Sequence, residues 1–157
     1  MDTEQLSKLI DRYLEASFTV NRRLSALTRD LLPDELTLDQ SAALRYLREN
    51  GCTTSSELAE VFCVGKSSIT AIITRLSDKK LIERVPDEKD RRVTYLKSTP
   101  EGERLTRQFD SKLEELLCLY LSHFTDQEAF GFIELYEKLA AALVQARTES
   151  EPVETDR

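Results

Sequence analysis

Between residues 6 and 31, apolar side chains recur every three or four positions: Leu6, Leu9, Ile10, Tyr13, Ala16, Val20, Leu24, Leu27 and Leu31. That spacing predicts one long amphipathic helix. Pro33 ends it, because proline has no amide to donate and pushes its predecessor out of the helical region. Thr37-Leu38-Asp39-Gln40 is a capping box, in which the threonine and glutamine side chains satisfy reciprocal orphan amides. The helix it opens buries Ala42, Ala43, Leu44 and Leu47 and stops at Asn50-Gly51. Cys52-Thr53 reads as a short extended link. Thr54-Ser55-Ser56-Glu57 is a second capping box, before Leu58, Ala59 and Phe62. After a turn at Cys63-Val64-Gly65, Ile69, Ile72, Ile73 and Leu76 mark another helix, with Gly65 as its N-cap.

Beyond this point the period changes. Two β-prone segments, 81–85 and 93–97, flank a polar loop containing Pro86 and predict a hairpin. Thr99-Pro100 puts a capping residue before a proline at the first helical position. Leu105, Phe109, Leu113, Leu116, Leu117 and Tyr120 form the stripe of the helix that follows. A third capping box, Thr125-Asp126-Gln127-Glu128, leads into the last helix, with Phe130, Ile133, Leu135, Leu139, Leu143 and Ala146 as its apolar positions. From residue 148 onward Glu, Pro, Thr and Asp appear without a stripe, so a disordered tail is expected at 148–157. The expected fold is mostly α with a small β wing. A winged helix-turn-helix occupies 36–98, flanked by an N-terminal helix in 1–35 and C-terminal helices in 99–147. The first helix, about seven turns long, exceeds what one small winged domain can cover, so its stripe is expected to meet another subunit.

Composition supports this class and narrows the function. Four glycines and four prolines in 157 residues, with 32% charged residues, favour long charged helices over an all-β fold. No apolar run approaches the roughly 20 residues needed to cross a bilayer, and the first residues include Asp2 and Glu4, so a cytoplasmic protein is expected. Net charge is −7, which by itself argues against a nucleic-acid partner. Its distribution reverses that inference: residues 66–97 hold nine basic and five acidic side chains, a net of +4, leaving −11 for the remainder. Cys52, Cys63 and Cys118 lack CxxC spacing and His123 is the sole histidine, which argues against a zinc cluster or disulfide framework. Cys63 and Cys118 read as small buried apolar residues. No cofactor is expected, and no GxSxG, GxGxxG, P-loop or HExxH motif suggests an enzyme.

Two clusters carry the candidate chemistry. Lys66, Ser67, Ser68 and Thr70 crowd the first turn of the helix after the tight turn, with Thr74 and Arg75 further along it. Such a helix start offers free amides and a positive dipole end, and helix-turn-helix proteins read base edges from this turn. The competing reading is that the hydroxyl residues only cap the helix. In the hairpin loop Asp90 stands two residues before Arg92 and can orient its guanidinium for a narrow minor groove, with Arg84 and Arg91 adding charge. The alternative there is a solvated charge run.

From residue 36 to 105 the chain resembles the MarR family of bacterial transcription regulators. The resemblance is carried by Leu36-Thr37-Leu38-Asp39-Gln40, Glu57-Leu58-Ala59, Ser67-Ser68-Ile69-Thr70, Arg75-Leu76, Leu81-Ile82-Glu83-Arg84, Asp90-Arg91-Arg92 and Thr99-Pro100-Glu101-Gly102. It implies a homodimer built by the terminal helices and gripping an inverted-repeat operator in double-stranded DNA. Ser67, Ser68 and Thr70 would lie on the major-groove helix, and Asp90 and Arg92 at the wing tip. Repression relieved by a small aromatic effector is implied too, with Tyr13, Tyr46 and Phe109 as candidate lining residues, alongside Phe18, Tyr120 and Phe124. Oxidant sensing through a first-helix cysteine is not, because no cysteine precedes Cys52. Three positions depart from the family pattern: Ala71 where arginine is frequent, Lys80 where glycine usually ends the helix, and Ser98 in place of leucine. The other functional reading is a winged-helix module for protein assembly that does not read DNA.

Overall fold

The computed structural model describes residues 2–33 and 36–150. Its helices are α1 (Thr3–Leu31), α2 (Leu38–Asn50), α3 (Ser55–Val61), α4 (Lys66–Asp78), α5 (Pro100–Leu121) and α6 (Asp126–Ser150), and its strands are β1 (Thr53–Thr54), β2 (Ile82–Pro86) and β3 (Thr94–Ser98). Each expected capping box forms. Thr37 Oγ accepts from the Gln40 amide at 3.3 Å, Thr54 Oγ from Glu57 at 3.2 Å and Thr125 Oγ from Glu128 at 3.4 Å. A fourth box, Asp2 with Gln5, opens α1 and is a feature that the apolar pattern does not reveal. Helix α6 continues through Ser150, past the expected start of a disordered tail; residues 151–157 lie outside the described residues. No helix among the described residues is long and apolar enough to cross a membrane.

The sheet is antiparallel in the order β1-β3-β2. The hairpin runs from the Ile82–Ser98 pair to the Pro86–Thr94 pair, one residue later in both strands than the propensities suggest. The Cys52-Thr53 link becomes part of the sheet, since Thr53 pairs with Leu96 and Thr54 with Tyr95. This makes β3 the central strand, and Leu96 is fully buried. Around it close Ala43, Leu44 and Leu47 from α2, Leu58 from α3, Ile69, Ile73 and Leu76 from α4, and Ile82 from β2. The chain divides into two compact units, one ending at Leu113 and the other beginning at Glu114. Within the first, α5 buries Gly102, Thr106 and Phe109, and Thr106 satisfies its buried hydroxyl by donating to the Gly102 carbonyl at 2.8 Å. Asp110 on α5 meets Arg48 of α2 at 2.6 Å and Arg45 at 3.7 Å. Helix α1 buries none of its residues, and its stripe of Leu6, Leu9, Ile10, Tyr13 and Leu24 stays exposed.

Both helices of the helix-turn-helix end in a left-handed residue that is not glycine. At the end of α3 the Cys63 amide bonds the Glu60 carbonyl at 3.0 Å and the Val64 amide bonds Ala59 at 3.1 Å, with Cys63 at φ 52°. At the end of α4 the Lys80 amide bonds Ser77 and the Leu81 amide bonds Leu76, both at 2.9 Å, with Lys80 at φ 58°. Each is a Schellman turn, which satisfies the last carbonyls of its helix. Neither Cys63 nor Cys118 is buried within its own chain, where both are exposed, against the expectation for Cys63 at the turn. Cys63 occupies the outward turn residue between α3 and α4, and Cys118 lies on α5 beyond the stretch that the first unit buries.

The Lys80 turn is also where α5 starts. Thr99 donates its hydroxyl to the Lys80 carbonyl at 2.9 Å and accepts the Gly102 amide at 3.2 Å, while its own amide reaches the Leu81 carbonyl at 3.0 Å. Gly102 is pressed onto the same turn: a Cβ there would collide with the Leu81 carbonyl oxygen and stand 2.7 Å from Ser98 Oγ. Gly102→Ala is therefore expected to lower unfolding stability by about 2–3 kcal/mol, as overpacking against an unyielding backbone does. Lys80→Gly should raise it by about 1 kcal/mol, the strain of a side chain in the left-handed region. Denaturant unfolding of the two variants beside the parent protein measures both.

Candidate nucleic-acid interface

Helix α4 presents two chemically distinct sides. Ile69, Ile73 and Leu76 are buried, whereas Lys66, Ser67, Ser68, Thr70, Thr74 and Arg75 are all exposed. Its N-cap is Gly65, which makes no side-chain capping bond. The reading of Ser67, Ser68 and Thr70 as helix caps is therefore not what the geometry contains. Thr70 instead donates its hydroxyl to the Lys66 carbonyl one turn back, at 2.6 Å.

The hairpin loop is built by two aspartates. Asp87 Oδ1 accepts the amides of Lys89 and Asp90, each at 2.7 Å, and the loop closes with Asp87 N–H to the Val93 carbonyl at 3.0 Å and Val93 N–H to the Asp90 carbonyl at 2.9 Å. Asp90 in turn holds Arg92 at three points: Oδ1 accepts from the Arg92 amide at 3.0 Å and from Nε at 3.1 Å, and Oδ2 accepts from Nη2 at 3.2 Å. The guanidinium is thus fixed by a planar two-point contact while its side chain remains 91% exposed. The Arg92 side chain, then the Arg92 amide, hold the Asp90 carboxyl below its ordinary value. The Asp90 amide, then the Lys89 amide, do the same for Asp87. Asp87 is the loop residue that the sequence pattern left unassigned; its position directly after Pro86 is the available signal, because aspartate after proline favours a turn that bonds its own backbone two residues on.

Charge is arranged around this surface in an uneven way. The ion pairs at Lys8, Arg45, Arg48, Arg104 and Arg107 all lie outside residues 66–97. Within that segment Arg92 is paired, and Lys66, Arg75, Arg84 and Arg91 take part in no ion pair among the described residues. Arg84 lies on β2 and Arg91 in the loop, both exposed. Cations without an internal partner are those that a polyanion can recruit without breaking a bond.

The aromatic candidates are dispersed. Tyr46 lines an open groove with Ala42, Arg45, Glu49, Val61 and Phe62, but neither Tyr13 nor Phe109 borders it. Phe109 is 6% exposed, whereas Tyr13 is 51% exposed on α1. No group of three or more His, Cys, Asp or Glu side chains among the described residues could hold a metal ion.

Comparison with known proteins agrees with this architecture. The family description that matches residues 36–94 is that of the MarR family. The transcriptional regulator YpoP of Bacillus subtilis is 33% identical over 110 residues, spanning 70% of this chain and 78% of the relative. The transcriptional repressor MdtR of the same organism is 32% identical over 127 residues, spanning 76% and 82%. Among solved structures, the PcaV transcriptional regulator of Streptomyces coelicolor, in complex with its natural ligand, superposes with a TM-score of 0.63 at 25% identity, covering 79% of this chain and 91% of that one. On the winged fold and these matches together, the chain belongs to the MarR family of transcriptional regulators.

Proposed function

We propose that the protein is a homodimer that binds an inverted-repeat operator in double-stranded DNA, represses transcription there, and releases the DNA when a small aromatic compound binds. The observation that carries the DNA reading is the wing, where a carboxylate fixes an almost fully exposed arginine that no other group occupies. In this reading Lys66, Ser67, Ser68, Thr70, Thr74 and Arg75 face the major groove. Arg92, oriented by Asp90, enters the minor groove, where a held cation senses groove width, and Arg84 and Arg91 meet phosphates. The bare apolar stripe of α1 supports a second copy as its cover. Repression is supported by the likeness to MdtR, and effector release by the likeness to PcaV. Tyr46 borders the groove described above and Tyr13 and Phe109 do not, so the effector reading rests on Tyr46 more than on those two.

Salt titration tests the proposal. Duplex affinity should fall with a log-log slope of about −0.9 per phosphate neutralised. Arg92→Ala should cost about tenfold in operator affinity, or about 1.4 kcal/mol. If Arg92→Ala and Lys66→Ala both leave duplex affinity unchanged, the assigned face is wrong and an assembly role takes its place. Asp90→Asn should act differently. It removes a negative charge near the phosphates and frees the guanidinium, so affinity for random duplex rises while the preference for operator shrinks.

The pH dependence has a definite sign. Asp87 and Asp90 are both depressed in the folded state, so the wing contacts they make are fully present above the ordinary carboxylate range, about pH 4, and are lost only as pH falls through the depressed values. The amide resonances of Lys89, Asp90 and Arg92 should therefore stay constant from pH 8 to 5 and move only below the ordinary range.

A further inference from the structure

The exposed side of α4 centres on Thr70 and Ala71, with Ser67 before them and Thr74 after. Thr70 is not a free hydroxyl reader. Its hydrogen is committed to the Lys66 carbonyl at 2.6 Å, so it has no proton for guanine O6 or N7, adenine N7 or thymine O4. With the oxygen turned back toward the preceding turn, the methyl group is left as its outward feature. Ala71 beside it offers a methyl and nothing else. The side chains that read purines at two points are scarce on this helix: α4 contains no Asn or Gln, and its single arginine, Arg75, lies in the third turn.

One major-groove feature matches short apolar groups at close approach, the C5 methyl of thymine. We propose that Thr70, with Ala71, selects thymine in each half-site through methyl contact rather than through a hydrogen bond. This rests on the reading above that α4 enters the major groove. The hydroxyl of Thr70 then serves the helix, and its methyl serves recognition. Lys66 and Arg75 supply sequence-independent phosphate contacts at either end of the same face.

Deoxyuridine isolates the methyl group, because it pairs as thymine does and lacks only that group. The full-length protein is titrated against the tightest duplex recovered from a random pool, and then against duplexes in which each thymine is replaced by deoxyuridine in turn. At one or two positions per half-site the affinity should fall about fourfold per methyl removed. Thr70→Ser should erase the thymine–uracil difference at one of those positions, whereas Thr70→Val should keep it. Thr70 is exposed, and circular dichroism melting of both variants checks that they remain folded. The inference is overturned if no uracil substitution weakens binding, or if Thr70→Val abolishes operator preference while Thr70→Ser retains it. Absence of binding by the parent protein to any duplex is a separate result, and it overturns the DNA reading itself.

Discussion

The rest of the structure depends on the junction where the Lys80 turn, Thr99 and Gly102 meet. Three elements leave this point: α4 ends in it, the first wing strand starts from it, and α5 begins on it. Thr99 bonds the Lys80 carbonyl with its hydroxyl and the Leu81 carbonyl with its amide, so the end of α4 and the start of α5 share two hydrogen bonds. Gly102 permits an approach that no side chain would allow. The orientation of the wing relative to α4 is therefore set by close backbone approach and one short hydroxyl bond, not by long flexible side chains. The unusual lysine at φ 58° is held by its neighbours: the Schellman bonds on one side and Thr99 on the other over-determine it.

Charge follows the same division of labour. The chain is acidic overall, yet its ion pairs outside residues 66–97 leave the cations of α4 and β2 uncommitted. Arg92 is the exception and the informative one, because its partner fixes direction while leaving the group in solvent. An exposed pair of this kind contributes little to folding stability. Its value lies in pre-organisation, since an arginine already aimed loses less freedom on binding. The acidic remainder is then suited to keeping the terminal helices soluble and away from phosphate.

Much of this architecture is legible from residue pattern, and what is not has specific causes. Helix starts were readable because a hydroxyl residue followed three positions later by Gln or Glu has one common structural outcome, seen at Thr37, Thr54 and Thr125. The Asp90–Arg92 contact was readable because its two-residue spacing is local. Strand β1 is not, since two residues have no period and their pairing partners, Tyr95 and Leu96, lie far along the chain. The exposure of Cys63 escapes the pattern for a related reason: an apolar preference says nothing about a residue that the helix-turn-helix places at the tip of a Schellman turn. Aromatic periodicity places Tyr13, Tyr46 and Phe109 on helices but cannot tell which of them lines a groove. Asp87 is not legible in the pattern because its role is to bond backbone, which leaves no signature in the surrounding side chains.

The central claim is that one folded unit offers DNA both a reading helix and an oriented arginine, and that a second copy repeats the offer symmetrically. Sequencing the duplexes that the purified protein enriches from a random pool tests it most directly. An inverted repeat with half-site centres about one helical turn, or ~34 Å, apart is the predicted result. Enrichment of no sequence, or of a single unrepeated site, would contradict the account.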